Sequence, residues 1–440
     1  MTNNNNAALE CPEETKYDVM VIGAGIAGAE SALKIADMGY KVLLVEKEPS
    51  IGGKMILLSK VFPTLDCAAC ITTPKVSETS RHPNITILTM TEVEEVQRSN
   101  NRDFIVQLIK KPRYVIEKDC TGCQECENVC PVITQDQFQF NLTARKAVYI
   151  PFNIASPRIA LIDIENCMLC GACEKACPSN CIDFTQQEQK LQISVKAIIL
   201  ATGFKLFDPI SIEQYGYGRY KNVITSMQME RQLAPTRPFN NILRPSDGKI
   251  PDKIAYVFCT GSRDHTVGNP ICSQVCCMYS TKQAQLLMGA LPMADISLYY
   301  INIRAFGKGY NEFYMQAKDM GANYVKGKIG KITEKENGNL ILRFEDIVTG
   351  KVSEKEHDLV VLSVGLLANP EITKVFKDEK LELDAVKYVC QKDMLQNPAQ
   401  TSIEGVFVAG TATGPMDIPD TIMSAGAAVT ETSSYLKKLL

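Results

Sequence analysis

Histidine is nearly missing from this chain of 440 residues: His82, His265 and His357 are the three present, too few and too scattered to argue for a catalytic centre. A dominant charge is missing too. Forty-seven basic residues against 50 acidic ones leave a formal −3, so no large field draws nucleic acid or an anionic membrane. No apolar run approaches the roughly 18 to 20 residues that cross a bilayer, and the start MTNNNNAALECPEET has neither the basic nor the apolar region of a signal peptide. A cytoplasmic protein without membrane insertion is the expectation. What the chain has in plenty is cysteine, 17 residues. In a reducing compartment these are poor candidates for structural disulfides, and their CxxC spacings point to metal, with iron–sulfur clusters first. A hydrophobic share of 45% over this length allows two or three domains with buried cores.

The stretch YDVMVIGAGIAGAESALKIADMGYKVLLVEKEPSIGGK reads as strand, glycine turn, amphipathic helix and strand. Its first strand is nearly all apolar, as a parallel strand buried on both faces requires. Gly23, Gly25 and Gly28 stand between strand and helix, where they permit the tight turn, the approach of a pyrophosphate to the helix N-terminus, and close helix–strand packing. Glu46 ends the next strand and can accept bonds from a ribose hydroxyl. That motif alone leaves FAD and NAD unresolved. Three distant features favour FAD: EKEPSIGGK, with Lys47, Gly53 and Lys54; AIILATGF, with Ala201, Thr202 and Gly203; and GVFVAGTATGPMDIPD, with Gly410 and Asp417. Their order resembles the two-dinucleotide-fold disulfide reductase flavoproteins, whose thioredoxin reductase branch builds its FAD domain from both ends of the chain. The resemblance implies that Gly410 and Asp417 lie near the FAD phosphates and ribityl chain, although Thr411 stands where that family has an acidic residue. Lys54 and Lys308 are candidates for a cation near the flavin ring, with ordinary solvated lysines as the alternative.

CTGCQECENVCP supplies Cys120, Cys123, Cys126 and Cys130; CMLCGACEKACP supplies Cys167, Cys170, Cys173 and Cys177. In this spacing three thiolates wrap one [4Fe–4S] cube and the fourth cysteine of each run reaches the other. One cluster is therefore expected on Cys120, Cys123, Cys126 and Cys177, and a second on Cys167, Cys170, Cys173 and Cys130. Zinc is the alternative, disfavoured because it usually takes paired CxxC or histidine ligands. Cys181 is left over as a buried thiol. An insert this small cannot hold itself by apolar burial alone, so its clusters must supply much of its stability.

In FCTGSRDHTVGNPICSQVCC, after the strand KIAYV, a pyridine-nucleotide fingerprint would be expected in a reductase of this architecture. A lone Gly261 followed by Ser262, Arg263 and Asp264 does not supply it. Cys259, Cys272, Cys276 and Cys277 stand there instead, read as ligands of a nonstandard cube, with buried helix residues beside one or two redox-active companions as the alternative. The expected fold is α/β: a two-dinucleotide-binding-domain flavoprotein with an inserted α+β 2[4Fe–4S] ferredoxin domain. Its parts are a disordered tail (1–16), a Rossmann-like FAD domain (17–112, 190–250, 369–440), the insert (113–189) and a second α/β domain (251–368) carrying the third iron–sulfur site.

EKEPSIGGKMILLSKVFPTLDCAACITTPK, the doubled ferredoxin motif, CTGSRDHTVGNPICSQVCCMYSTKQA, IRAFGKGYNEFY and GPMDIPDT together resemble the A-type subunits of the heterodisulfide reductases, over nearly the whole chain from Tyr17. The resemblance implies FAD, a ferredoxin insert, a cluster bound by the CxxxCC arrangement, and an oxidoreductase that relays electrons between partner subunits, in some members bifurcating them at the flavin. It implies B/C-type subunits that reduce a disulfide, an input module linked to hydrogenase, formate or NAD, and a homodimer within a larger complex. Longer members carry an N-terminal cysteine-rich domain and a C-terminal ferredoxin domain, so a compact form with fewer electron exits is expected here. Cys67 and Cys70 match a family pair implicated in cluster binding with that N-terminal domain; Cys11 is the nearby spare thiol, and two packed free thiols are the alternative. Two other functions are weighed: the flavin arm of a quinone-modifying complex, and a scaffold whose clusters conduct while FAD does not cycle.

Overall fold

The computed structural model describes residues 15–439, so Cys11 and nearly all of the expected tail lie outside the described residues. The chain forms two compact units, one from the residues up to Ile56 with 71–204 and 368–440, the other from 57–70 and 205–367.

The first unit is built on a seven-stranded sheet. Lys16–Ile22 lies between Val42–Val45 and Gln189–Leu200, both parallel to it; Ile85–Leu88 extends one side and Val406–Val408 pairs with Ile198–Leu200 on the other. Alternate residues feed two cores. Met20, Ile22, Leu43 and Val45 enter one, and Val19, Val21, Val42 and Leu44 the other, so the apolar runs are explained by burial on both faces. The helices Ile26–Asp37 and Ile418–Leu439 meet over the second core through Ala27, Ala32, Ala425 and Ala428, whose small side chains allow close approach.

Gln189–Leu200 has two roles along its length. Its first half pairs antiparallel with Phe104–Lys110, which in turn pairs with Thr91–Arg98. The ferredoxin insert departs after Lys110 and returns at Gln189, which are partners in that ladder. Within the insert, two five-residue helices, Glu125–Val129 and Ala172–Ala176, follow the cysteine loops, and two short hairpins support them. Its core is small: Val115, Val148, Ile159, Ile162 and Ile182, with the cysteines packed among them.

The second unit carries another seven-stranded sheet, in the order Val223–Thr225, Leu359–Val364, Lys253–Thr260, Asp295–Tyr300, Asn323–Glu334, Leu340–Asp346 and Lys351–His357. The first five are parallel and the last two form an antiparallel meander. Here the boundaries differ from the expectation: the 205–250 stretch groups with this unit, because Val223–Thr225 pairs with Leu359–Val364. The 57–70 segment groups with it too, through the buried carboxylate of Glu230, which accepts bonds from the Ser59 amide (2.8 Å) and hydroxyl (2.6 Å). Lys282 completes that network as the ion-pair partner of Glu230. Among the described residues no helix is long and apolar enough to cross a membrane.

Candidate functional site

The glycine turn of the first unit is shaped for a ligand. Gly23 has φ +99°, and a side chain there would run into the Ala201 carbonyl; a Cβ on Gly28 would strike the Gly23 carbonyl. Gly25 lies against Gly53, which has φ +58° and would bring a Cβ to 2.6 Å from the Gly25 Cα. The turn, the IGGK loop and the ATG turn (Ala201, Thr202, Gly203 with φ +68°) thus share one neighbourhood built of bare backbone. The buried Glu46 carboxylate accepts from the Ala24 amide (2.7 Å) and the Glu48 amide (3.0 Å). Four lone-pair positions leave capacity for a hydroxyl. Burial raises its pKa, against those two amide bonds. Lys54 is half-buried with its ammonium over the Phe204 ring, and burial lowers its pKa; Lys47 is exposed. Gly410 (φ +65°) packs against Ala27, and its amide donates to Ser424 at 2.9 Å. Asp417 opens the last helix, its carboxylate accepting from the Asp420 amide at 3.0 Å. A dinucleotide fits this cradle.

The eight ferredoxin cysteines line two cavities. Cys120, Cys123 and Cys126 share one with Cys177; Cys167, Cys170 and Cys173 share the other with Cys130. The exchange of the fourth cysteine follows from the two short helices lying side by side, so that each motif's last cysteine faces the other motif's loop. Both loops need left-handed backbone at their third and fifth positions: Gly122 and Gln124 in one, Leu169 and Gly171 in the other. Sulfur also meets amide donors, as where the Leu169 N–H reaches Cys167 at 3.4 Å. Cys181 is buried beside Cys177, with the sulfurs 3.3 Å apart. Among the described residues no three Cys, His, Asp or Glu groups converge as a single ion demands. A four-iron cube holds its thiolates farther apart than one ion does, which suits two such cavities.

The insert is fastened to the glycine-rich side of its unit by a residue that spacing alone does not flag. Arg113, fully buried, donates to the Pro49 carbonyl (2.6 Å), the Thr89 hydroxyl (2.6 Å) and the Glu117 carboxylate (3.2 Å), and it acts electrostatically on Cys120. Ser156 adds bonds to Ser50 (2.8 Å) and Ile51 (2.9 Å). The Cys120 cavity therefore sits on the side of the loop that follows Glu46.

In the second unit, the strand Lys253–Thr260 shifts register near its end, where Cys259 takes φ +57°, and the helix Cys276–Ala290 opens on the buried pair Cys276 and Cys277. Cys276 interacts electrostatically with Cys259, Cys272 and Cys277, so strand end, loop and helix start bring the four sulfurs into one region. Burial pushes the Cys277 thiol up to about 11 and raises Cys276 and Cys259 as well. Arg263 and Arg304 oppose the shift at Cys259. Cys276 and Cys277 are buried and Cys259 and Cys272 half-buried, and the buried pair needs compensating charge to ionise. Over Gly261 (φ +70°) the ring of Phe207 fills the space that a Cβ would enter, space a nucleotide fingerprint keeps for its ligand.

Other residues take bland positions. Lys308 is exposed. His357 is buried, its ring 3.0 Å from the Tyr299 hydroxyl. One expectation needs correcting: Cys67 and Cys70 form a disulfide, with Cα atoms 5.2 Å apart, and are not free thiols. Three residues apart at the start of the helix Ala68–Arg81, they fall on one side of its first turn, within the reach of an S–S bond.

Residues 18–66 match the family described as FAD dependent oxidoreductase, and residues 119–182 the 4Fe-4S dicluster domain. The chain is 43% identical over 96% of its length to the A-type iron-sulfur subunit of the CoB--CoM heterodisulfide reductase of Methanocaldococcus jannaschii, covering 64% of that protein. It is 44% identical over 93% of its length to the A-type subunit of the H(2)/formate:CoB-CoM heterodisulfide,ferredoxin reductase of Methanococcus maripaludis, covering 62%. The chain thus spans somewhat less than two thirds of these curated relatives. Among solved structures, the thioredoxin reductase of T. acidophilum superposes with a TM-score of 0.54 at 14% identity, covering 97% of this chain and 99% of that one, which establishes the two-dinucleotide-binding fold.

Proposed function

We propose that this chain, similar over nearly its whole length to the heterodisulfide reductase A-type subunits, is the electron-transferring FAD and iron–sulfur component of a complex of that type. When bound, FAD exchanges electrons in pairs or singly, and each cluster exchanges one. The residues divide the work. Gly23, Gly25 and Gly28 admit a pyrophosphate to the helix N-terminus, Glu46 holds the ribose, and Gly53, Lys54, the Ala201–Gly203 turn, Gly410 and Asp417 surround the rest. Cys120, Cys123, Cys126 and Cys177 hold one cluster, Cys130, Cys167, Cys170 and Cys173 the second, and Cys259, Cys272, Cys276 and Cys277 a third.

The observation that carries this reading is the second unit's strand–helix crossing, where four thiols stand and Phe207 covers Gly261. It supports a flavin wired to proteins in place of a diffusing nicotinamide. Relatives whose names couple hydrogen or formate to CoB-CoM heterodisulfide and ferredoxin support an input module linked to hydrogenase or formate; an NAD-linked input, B/C-type partners that receive the electrons and two copies of this chain in the larger complex are part of the same proposal. Bifurcation at the flavin is the form this takes if the one-electron potentials of the flavin are crossed.

Anaerobic purification followed by iron, sulfide and flavin analysis tests it. About twelve irons and one FAD per chain are expected from three cubes of four irons each, and about eight irons would remove the third. Rapid reduction of the isolated chain by NADH or NADPH would overturn the reading of the second unit. A redox titration of the flavin separates bifurcation, with crossed potentials, from simple relay, with stacked ones.

A further inference from the structure

The cavity of Cys120, Cys123, Cys126 and Cys177 holds one cysteine more than a four-iron cube needs. Cys181 lines it as well, at 3% exposure, with its sulfur 3.3 Å from that of Cys177. Its amide also donates to the Cys177 sulfur, at 3.5 Å. The other cavity has four cysteines and no fifth. Four residues after Cys130 the chain has Thr134, which is not among the residues lining that cavity.

The two neighbouring thiols are held differently. Cys181 is pinned against the segment that leads into the first motif: its carbonyl accepts from the Ile116 amide (2.7 Å), and the Asp183 amide donates to the Tyr114 carbonyl (3.0 Å). Its sulfur is thereby kept in the cavity. Cys177 is half-buried and closes the five-residue helix Ala172–Ala176, at the start of a turn in which Asn180 takes φ +48°. The ligand that comes from the far motif is the less enclosed of the two. A buried free thiol ordinarily behaves as a small apolar side chain. Packing alone would be met at this place by alanine or valine, whereas a fifth thiol competes for iron, because thiolate is the ligand these clusters take.

We propose that Cys181 is an alternate ligand of this cluster, exchangeable with Cys177 at one iron. This rests on the proposed function, in which the cavity holds a cluster. In the exchange the iron–sulfur bond to Cys177 breaks, the bond to Cys181 forms, and the Cys181 proton passes to the departing Cys177 sulfur 3.3 Å away. No electron is gained or lost and the total charge is unchanged. The site therefore keeps four thiolates when Cys177 is blocked, and the second cavity has no such reserve.

The test uses the anaerobic holoprotein, with iron analysis and the paramagnetic resonance spectrum of the reduced protein. Cys177→Ala is expected to keep the iron content and the [4Fe–4S] signals of the wild type, Cys181→Ala likewise, and the double variant Cys177→Ala/Cys181→Ala to lose about four irons. Cys130→Ala, which removes the corresponding ligand of the second cavity, is expected to lose about four irons by itself. The proposal is overturned if Cys177→Ala alone loses its cluster, if the double variant keeps it, or if Cys130→Ala keeps its irons too. Should Cys177→Ala not fold, Cys177→Ser takes its place. Its effect on the reduction potential of the cluster and that of Cys181→Ala are then expected to be non-additive, and additive effects overturn the proposal. Failure of the cluster reading shows separately, in a wild type that lacks the irons of the insert and gives no [4Fe–4S] signal from it.

Discussion

The insert and the second unit both gather cysteines, by opposite means. In the insert the cysteines are the core: Cys120, Cys126, Cys130 and Cys173 are buried among a handful of aliphatic residues, Cys126 and Cys173 in two five-residue helices that could not persist alone. In the second unit the cysteines are guests. Cys259, Cys272, Cys276 and Cys277 hang on a strand end, a loop and a helix start whose positions are set by a seven-stranded sheet with two apolar cores of its own. A site encoded by local spacing is expected to depend on its metal to fold, and the site proposed on the dinucleotide-type scaffold is expected to keep its fold without one.

Iron removal should separate the two most sharply. After anaerobic chelation, limited proteolysis is expected to cut within 113–189 while 205–367 stays resistant; equal protection of both would break the contrast. A milder version uses single ligands. Cys126→Ala and Cys276→Ala should each lose about four irons, but Cys126→Ala alone should speed amide exchange in the insert, as mass spectrometry would show. The second unit has its own weak point in the buried Glu230–Lys282 pair. Glu230→Ala leaves Lys282 charged without its partner, an expected cost of about 3–5 kcal/mol in denaturant unfolding of that unit, with cluster content in the insert unaffected.

Smaller again is a pH effect. Burial holds the His357 pKa down at about 4, below its usual 6.5. The folded state thus binds a proton less readily than the unfolded one, and stability that is complete above pH 6.5 falls as the pH drops toward 4. His357→Phe should flatten that slope, by about 3 kcal/mol at most. At the small end, Leu169→Gly should stabilise the insert against urea by about 1 kcal/mol through relief of its left-handed backbone.

Legibility in the sequence followed the same division. The doubled CxxCxxCxxxCP run and the GAGIAG turn are local patterns, and in the structure the eight cysteines line two cavities and the glycines share one turn. The grouping of 205–250 and 57–70 with the second unit was not legible, because it depends on Val223–Thr225 finding Leu359–Val364 and on Ser59 finding Glu230, partners far apart in the chain. The helix Ala68–Arg81 contains Pro74 and several threonines and serines, residues of low helix propensity, so its local sequence does not announce it. The meander from Asn323 to His357 is charged along its exposed face, and only its buried half, with Ile329, Ile332, Leu340, Leu342 and Phe344, marks it as sheet. The Cys67–Cys70 bond is not legible for another reason: the resemblance offers cluster ligands or two free thiols, and neither says how two cysteines three residues apart are placed.

Lys110 and Gln189 are cross-strand neighbours, so the whole ferredoxin module leaves and rejoins the flavin sheet at the ends of one hairpin. A graft at such a joint leaves the host ladder alone and gives up the bonds of Arg113 and Ser156 to the loop after Glu46. Replacing 111–188 with a tight turn would leave every ladder bond from Phe104 to Leu200 in register, and a module of different potential could be spliced into the same gap.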